Sequence, residues 1–136
     1  MSSVNDCKII EMPKVADYRG NLTFIEENRH VPFDIKRVFY VYDIPSGQSR
    51  GAHAHKTLHE FIICLSGSLE VQMDDGVEKR SVRLNRPWLG LHVPPMIWAS
   101  EGDFDPGTVY VVLCSHLYDA DDYIRDYDRF VAENRP

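Results

Sequence analysis

The sequence predicts an all-β sandwich or barrel carrying one short C-terminal α-helix. Three observations lead there. Apolar runs with period-two alternation recur along the chain, turn-forming residues separate them at intervals of about eight to twelve residues, and helical spacing occurs only near the C-terminus.

In chain order, strands are expected at 8–12 (KIIEM), 21–27 (NLTFIEE), 35–44 (IKRVFYVYDI), 51–56, 59–65 (HEFIICL), 68–74 (SLEVQMD), 78–84 (EKRSVRL), 87–93, 97–101 and 108–115 (TVYVVLCS). Their Val, Ile, Tyr and Phe content suits a pleated, half-buried surface. Between them stand Ser66-Gly67, Asp75-Gly76, Asn85-Arg86-Pro87, Pro94-Pro95 and Asp105-Pro106-Gly107. Gly admits positive φ, Pro fixes φ and removes a donor, and Asp or Asn bonds its own backbone. In the tail DADDYIRDYDRFVAEN, Asp residues suit a helix N-cap, and Ile124, Tyr127 and Val131 follow at helical spacing, flanked by Tyr123 and Phe130. That helix should lay its aromatic face on the barrel or on a partner subunit. The Asp run at 119–122 is expected to cap and to be solvated, since calcium-loop spacing is absent.

At 136 residues, with no repeats and no linker-like segment, residues 1–136 are expected to form a single domain. The net charge of −6, with no long run among the 15 Lys and Arg, argues against nucleic-acid binding. A few arginines in a pocket can still hold a small anion. No apolar run approaches a membrane span and MSSVNDCKII lacks a signal-peptide pattern, so the expectation is a cytoplasmic protein with no membrane partner. The three cysteines are too few for a disulfide framework. Cys64 and Cys114, inside apolar runs, should be buried free thiols, and the lack of C-x-x-C argues against structural zinc.

The stretch GQSRGAHAHKTLHEFIICLSG sets His53 and His55 two residues apart, so an extended chain points both the same way. Two imidazoles on one face suit a metal ion, a proton transfer, or an unremarkable edge. Gly47-x5-His53-x-His55-x4-Glu60-x6-Gly67 matches the first cupin motif at every fixed position. The resemblance implies a cupin jelly-roll barrel with the histidines facing its mouth. In metal-binding cupins a second motif adds a His where VPPMIWASEG has Ala99, leaving His53, His55 and Glu60 as the remaining ligand set.

YRGNLTFIEEN, VPFDIKRVFYVYD, RGAHAHKTLHEFIICLSGS, GLHVPP and YDADDYIRDYDRF together resemble the cupin-fold 3,4-ketoisomerases that act on dTDP-4-keto-6-deoxyglucose. That family usually carries Gln at the Glu60 position and His at the Ala99 position. The resemblance implies an enzyme without metal or other cofactor, a homodimer exchanging N-terminal strands, and a dTDP-linked 4-keto-6-deoxyhexose as substrate. Its product would feed a transaminase making 3-amino-3,6-dideoxy sugars for surface glycans. His53 and His55 suit the base and proton shuttle, because imidazole titrates near neutrality. Tyr40 is the candidate phenol for a sugar oxygen, and Trp98 for stacking on base or sugar. Glu60 is a further substrate-binding candidate. Arg50, three residues before His53, suits the diphosphate, and the resemblance adds Arg19 and Arg37. Arg37, Phe39 and Val41 share one strand face, and Lys36, Val38, Tyr40 and Tyr42 the other; the sequence does not say which looks inward. His30, His59, His92 and His116 have no such frame, although His92 in GLHVPP stands close enough to the barrel mouth to reach the pocket. Rival functions are a nucleotide-sugar epimerase of the same fold, an iron-dependent cupin oxygenase on His53, His55 and Glu60, and a non-catalytic nucleotide-sugar-binding module.

Overall fold

The computed structural model describes residues 1–135. The strands are β1 Lys8–Glu11, β2 Lys14–Asp17, β3 Gly20–Thr23, β4 Arg37–Val41, β5 Arg50–His55 and β6 Glu60–Ser66. They continue as β7 Leu69–Asp74, β8 Lys79–Leu84, β9 Leu89–Val93, β10 Trp98–Gly102, β11 Val109–Cys114 and β12 Tyr123–Ile124, before the helix α1 Tyr127–Glu133. Two five-stranded antiparallel sheets, β1-β9-β6-β11-β4 and β12-β5-β10-β7-β8, face each other as a jelly roll; β2 and β3 form a separate hairpin.

Alternation decides what each face buries. From β7, Leu69, Val71 and Met73 point between the sheets and join Ile62 of β6, Leu91 of β9 and Val112 of β11 in the main core. β6 is buried from Glu60 to Cys64, because the segment carrying Met12, Val31 and Phe33 covers its second face over Phe61 and Ile63. Each fully buried Phe or Ile contributes about 1.5–3 kcal/mol. No helix among the described residues is long and apolar enough to cross a membrane.

Most expected strands are present, with shifted ends, and the differences have local causes. The 21–27 run stops at Thr23, beyond which Glu27 bridges Val31. β2 was not expected; it exists as the hairpin partner of β3, Lys14 opposite Thr23. The tail is not one helix from the Asp run onward. Asp119 caps a single 3₁₀ turn, and Asp122 accepts from the Thr57 and Leu58 backbone at 3.0 and 3.1 Å. This pins the next two residues against β5, Tyr123 opposite His55 and Ile124 opposite Ala54. The helix starts only at Tyr127, capped by Asp126, and buries Phe130 against Ala54 and Ile124. Cys7, Cys64 and Cys114 are buried free thiols.

Gly90 of β9 packs against Phe61; a Cβ there would come within 2.0 Å of Phe61 Cζ. Gly90→Ala should therefore destabilise the protein by about 1–3 kcal/mol, the usual range for overpacking. The check is a lower urea midpoint with an unchanged m-value.

Candidate active site

The site is built around an irregularity in β5. On a regular strand Arg50 and His53, an odd number of residues apart, would face opposite ways. Here the register with β10 slips: Ala99 pairs with His53 but Ser100 with Gly51, leaving Ala52 unpaired. Gly51 and Ala52 both take positive φ, 86° and 62°. This bulge turns the strand so that Arg50, His53 and His55 all point inward.

They face a cavity of about 410 Å³ between the sheets, lined from both sides. Arg37 and Phe39 come from β4, Glu60 from β6, Glu101 from β10 and Tyr110 from β11, while Tyr118, Tyr123 and Arg125 form the rim beside the C-terminal segment. His53 stands on the lining and His55 lies behind it, 5% exposed. Their rings meet edge-on with centroids 4.9 Å apart, and the Tyr123 ring packs on both, at 4.9 and 4.4 Å.

Burial sets the charge state. It holds both imidazoles below their ordinary range, His55 down to about 4. The positive charge of Arg125 adds to the effect at His53, and that of His53 at His55, where Asp122 opposes it. Burial pushes the Glu60 carboxyl up to about 7 against the pull of Arg37. The 3.6 Å approach of His55 Nε2 to Glu60 Oε1 thus sets an uncharged imidazole against a carboxyl that keeps part of its proton at neutral pH, and is not a full ion pair. Neither ring nitrogen of His55 has a hydrogen-bond partner among the described residues, and Asp122 Oδ2 lies 3.8 Å from its Nδ1. Neutral imidazoles can accept a proton, and three arginines supply positive charge for an anion. Among the described residues no three His, Cys, Asp or Glu side chains are grouped to hold a metal ion.

The structure brings together His53, His55, Arg37, Arg50 and Glu60. Three other candidates lie elsewhere. Tyr40 is on the outward face of β4, 64% exposed and packed on Tyr42, because Arg37, Phe39 and Val41 take the inward one. Trp98 points out of β10 and packs under α1 on Tyr127 and Phe130. Arg19 sits at the β2–β3 turn, exposed and paired with Asp17 at 2.8 Å. Ala99 does hold an inward position, across from His53. His92 points away from the pocket; its Nε2 lies 2.9 Å from His59 Nδ1, beside Phe33. Tyr123, expected to pack a helix, instead lines the site. Sequence reasoning gives no site role to Glu101, Tyr110, Tyr118 or Arg125, although Tyr118 and Arg125 stand in YDADDYIRDYDRF, where the family resemblance is the available signal. The face rule, applied to Arg37 once its direction is known, is the signal that finds Phe39.

A family model, FdtA (WxcM-like, C-terminal), matches residues 5–135. The chain belongs to the FdtA family. It is 46% identical over 123 residues to a TDP-4-oxo-6-deoxy-alpha-D-glucose-3,4-oxoisomerase of Aneurinibacillus thermoaerophilus, covering 90% of this chain and 88% of that one. Among solved structures, the sugar 3,4-ketoisomerase QdtA from Thermoanaerobacterium thermosaccharolyticum in complex with TDP matches with a TM-score of 0.94 and 39% identity, over 97% of this chain and 96% of that one. A histidine-to-asparagine variant of QdtA in complex with TDP-4-keto-6-deoxyglucose matches at 0.92 and 40%, over 94% and 93%. The FdtA-family fold is thus the cupin-type jelly roll expected from the histidine motif.

Asp122 joins this site to the fold. Replacing it with Ala removes the acceptor for Thr57 Oγ1 at 2.7 Å and for the two backbone N–H groups named above. Asp122→Ala should cost about 1–3 kcal/mol of stability and loosen β12 from β5. Hydrogen exchange at Tyr123 and Ile124 should quicken before that of the sheet core.

Proposed function

We propose that this chain is a sugar 3,4-ketoisomerase converting a dTDP-linked 4-keto-6-deoxyglucose to its 3-keto isomer. The observation that carries this is a pair of mutually packed imidazoles, His53 on the lining and His55 buried behind it, at a pocket with Arg37, Arg50 and Arg125 around it. The identity to a named 3,4-oxoisomerase supports the same reading.

The C3 proton of the sugar is acidified by the C4 ketone. His53, the imidazole on the lining, takes it, and the C3–H electrons form a C3=C4 double bond while the C4 oxygen becomes an enediolate. A proton then passes from the C3 oxygen to the C4 oxygen, and C4 receives a proton on carbon. The products are a C3 ketone and a C4 hydroxyl, with no external oxidant or reductant consumed. His55, buried behind His53, is the second group of the relay and stabilises the imidazolium electrostatically. Bound diphosphate brings negative charge close to both rings, which raises their proton affinity when substrate is present. Arg50 and Arg37 hold that diphosphate, and Tyr118 and Tyr123 offer ring faces at the rim.

The working form in this proposal is a homodimer with exchanged N-terminal segments. β1 is already paired with β9 of its own chain, so the β2–β3 hairpin is the segment available for exchange. It leaves Val15, Tyr18 and Leu22 exposed, and Arg19 at its turn would then reach a partner's pocket. The enzyme acts in the cytoplasm, a placement that three unpaired thiols fit. The 3-keto product is the substrate a transaminase needs for a 3-amino-3,6-dideoxy sugar of a surface glycan.

The deciding experiment incubates the protein with dTDP-4-keto-6-deoxyglucose and follows the ring carbons by NMR. The C4 carbonyl signal should give way to one at C3; TDP binding without migration would mark a binding module instead. His53→Asn and His55→Asn should each lower turnover by on the order of a hundredfold or more with unchanged thermal unfolding. Wild-type rates in both would contradict the assignment.

A further inference from the structure

His55 lies inside the fold with a carboxyl beside each ring nitrogen and a hydrogen bond to neither. Its Nε2 is 3.6 Å from Glu60 Oε1 and its Nδ1 is 3.8 Å from Asp122 Oδ2. Both nitrogens are buried without a partner among the described residues. A neutral imidazole carries one N–H and one bare nitrogen, and leaving both unpaired away from water is costly. A small rotation of the ring brings the N–H onto one of the two carboxyls.

The two carboxyls are not equivalent. Asp122 is fixed by the fold: its Oδ1 accepts from Thr57 N and Oγ1 at 3.0 and 2.7 Å, and its Oδ2 from Leu58 N at 3.1 Å. Its backbone carbonyl accepts from Lys56 N at 2.9 Å, one residue past His55, and Tyr123 pairs directly across from His55. In each of these side-chain bonds Asp122 is the acceptor, so it presents acceptor oxygens to the ring. Glu60 instead lines the pocket, where a bound molecule competes for it, and Asp122 does not. Of the charges that act on His55, those of His53, Arg37 and Arg125 oppose a proton on the ring, and that of Asp122 favours one. Histidine in water prefers its proton on Nε2, so a fixed acceptor at Nδ1 changes the form the ring takes.

We propose that Asp122 is a positioning residue: it accepts the Nδ1–H of His55, fixes that tautomer, and leaves a bare Nε2 turned toward Glu60 and the pocket. Its catalytic meaning rests on the isomerase reading given above, in which His55 is the second group of the relay. With Nε2 bare, His55 can take a proton from the pocket side and return it, and Asp122 stabilises the imidazolium in between. With the proton on Nε2, the ring would face the pocket only as a donor.

¹⁵N NMR of the unliganded protein at pH 7 reads the tautomer, because the bare and protonated nitrogens of a neutral ring resonate far apart. The wild type should carry the His55 proton on Nδ1. Asp122→Asn keeps an oxygen for both Thr57 bonds but sets an amide N–H against Nδ1, so the proton should move to Nε2. Thr57→Val removes the 2.7 Å bond to Asp122 and leaves the carboxyl in place, so the proton should stay on Nδ1. With dTDP-4-keto-6-deoxyglucose, Asp122→Asn should lower kcat by on the order of tenfold or more with KM little changed, while Thr57→Val stays near wild type. A proton on Nε2 in the wild type, or on Nδ1 in Asp122→Asn, or an undiminished kcat in that variant, overturns the proposal. If Asp122→Asn does not fold, the wild-type spectrum decides alone. A proton on Nδ1 in a protein that moves no ketone would overturn the isomerase reading and leave Asp122 in its role; ketone migration with the proton on Nε2 would do the reverse.

Discussion

The cost of charging a group between two packed sheets governs the chemistry of this molecule. His53, His55, Glu60 and Glu101 project into the same apolar sandwich that buries Leu69, Val71 and Val112. Water would stabilise their ions; the sheets do not. The imidazoles are therefore held uncharged, and the carboxyls keep protons well above the pH at which a solvated carboxyl loses them. A neutral imidazole beside a protonated carboxyl can both take and give a proton, and enolisation asks for both. The positive charge of the pocket comes from arginine, the one side chain that desolvation does not readily neutralise.

That arrangement depends on one extra residue. Without the bulge at Ala52, Arg50 would sit on the outer surface of β5 and its positive charge would be separated from His53 and His55. The left-handed backbone at Gly51 and Ala52 is strained for a residue bearing a Cβ, and it is held by pairing to β10 on one side of the strand and to β12 on the other. Asp122 fastens β12, so the C-terminal segment is part of the site and not a decoration on it. The same segment contributes Tyr123 and Arg125.

Much of this was legible in the amino-acid sequence. Period-two alternation and turn residues located most strands, and the resemblance of the Gly47-to-Gly67 spacing to the cupin motif drew attention to His53, His55 and Glu60. What could not be read was direction. Tyr40 and Arg37 share a strand, and only the sheet that covers it decides that Arg37 faces the pocket and Tyr40 the solvent. Trp98 is a stacking candidate by its aromatic character, but next to the inward-facing Ala99 it points the other way and packs under α1. Tyr123 was placed on a helix because its spacing to Tyr127 and Phe130 is helical; a tertiary bond from Asp122 to the Leu58 backbone overrides that preference. Glu101 and Arg125 meet the other site residues only through folding, and the segments that hold them, VPPMIWASEG and YDADDYIRDYDRF, do not say which of their side chains face the pocket.

The most direct test is to titrate the ring nitrogens of His53 and His55 by ¹⁵N NMR in the unliganded protein. Both rings should be neutral at pH 7, with His55 gaining its proton only on descent to about pH 4. A midpoint for either ring at or above the free-imidazole value of about 6.5 would mean that the sheets do not desolvate the pair, and the account built on that desolvation would fail.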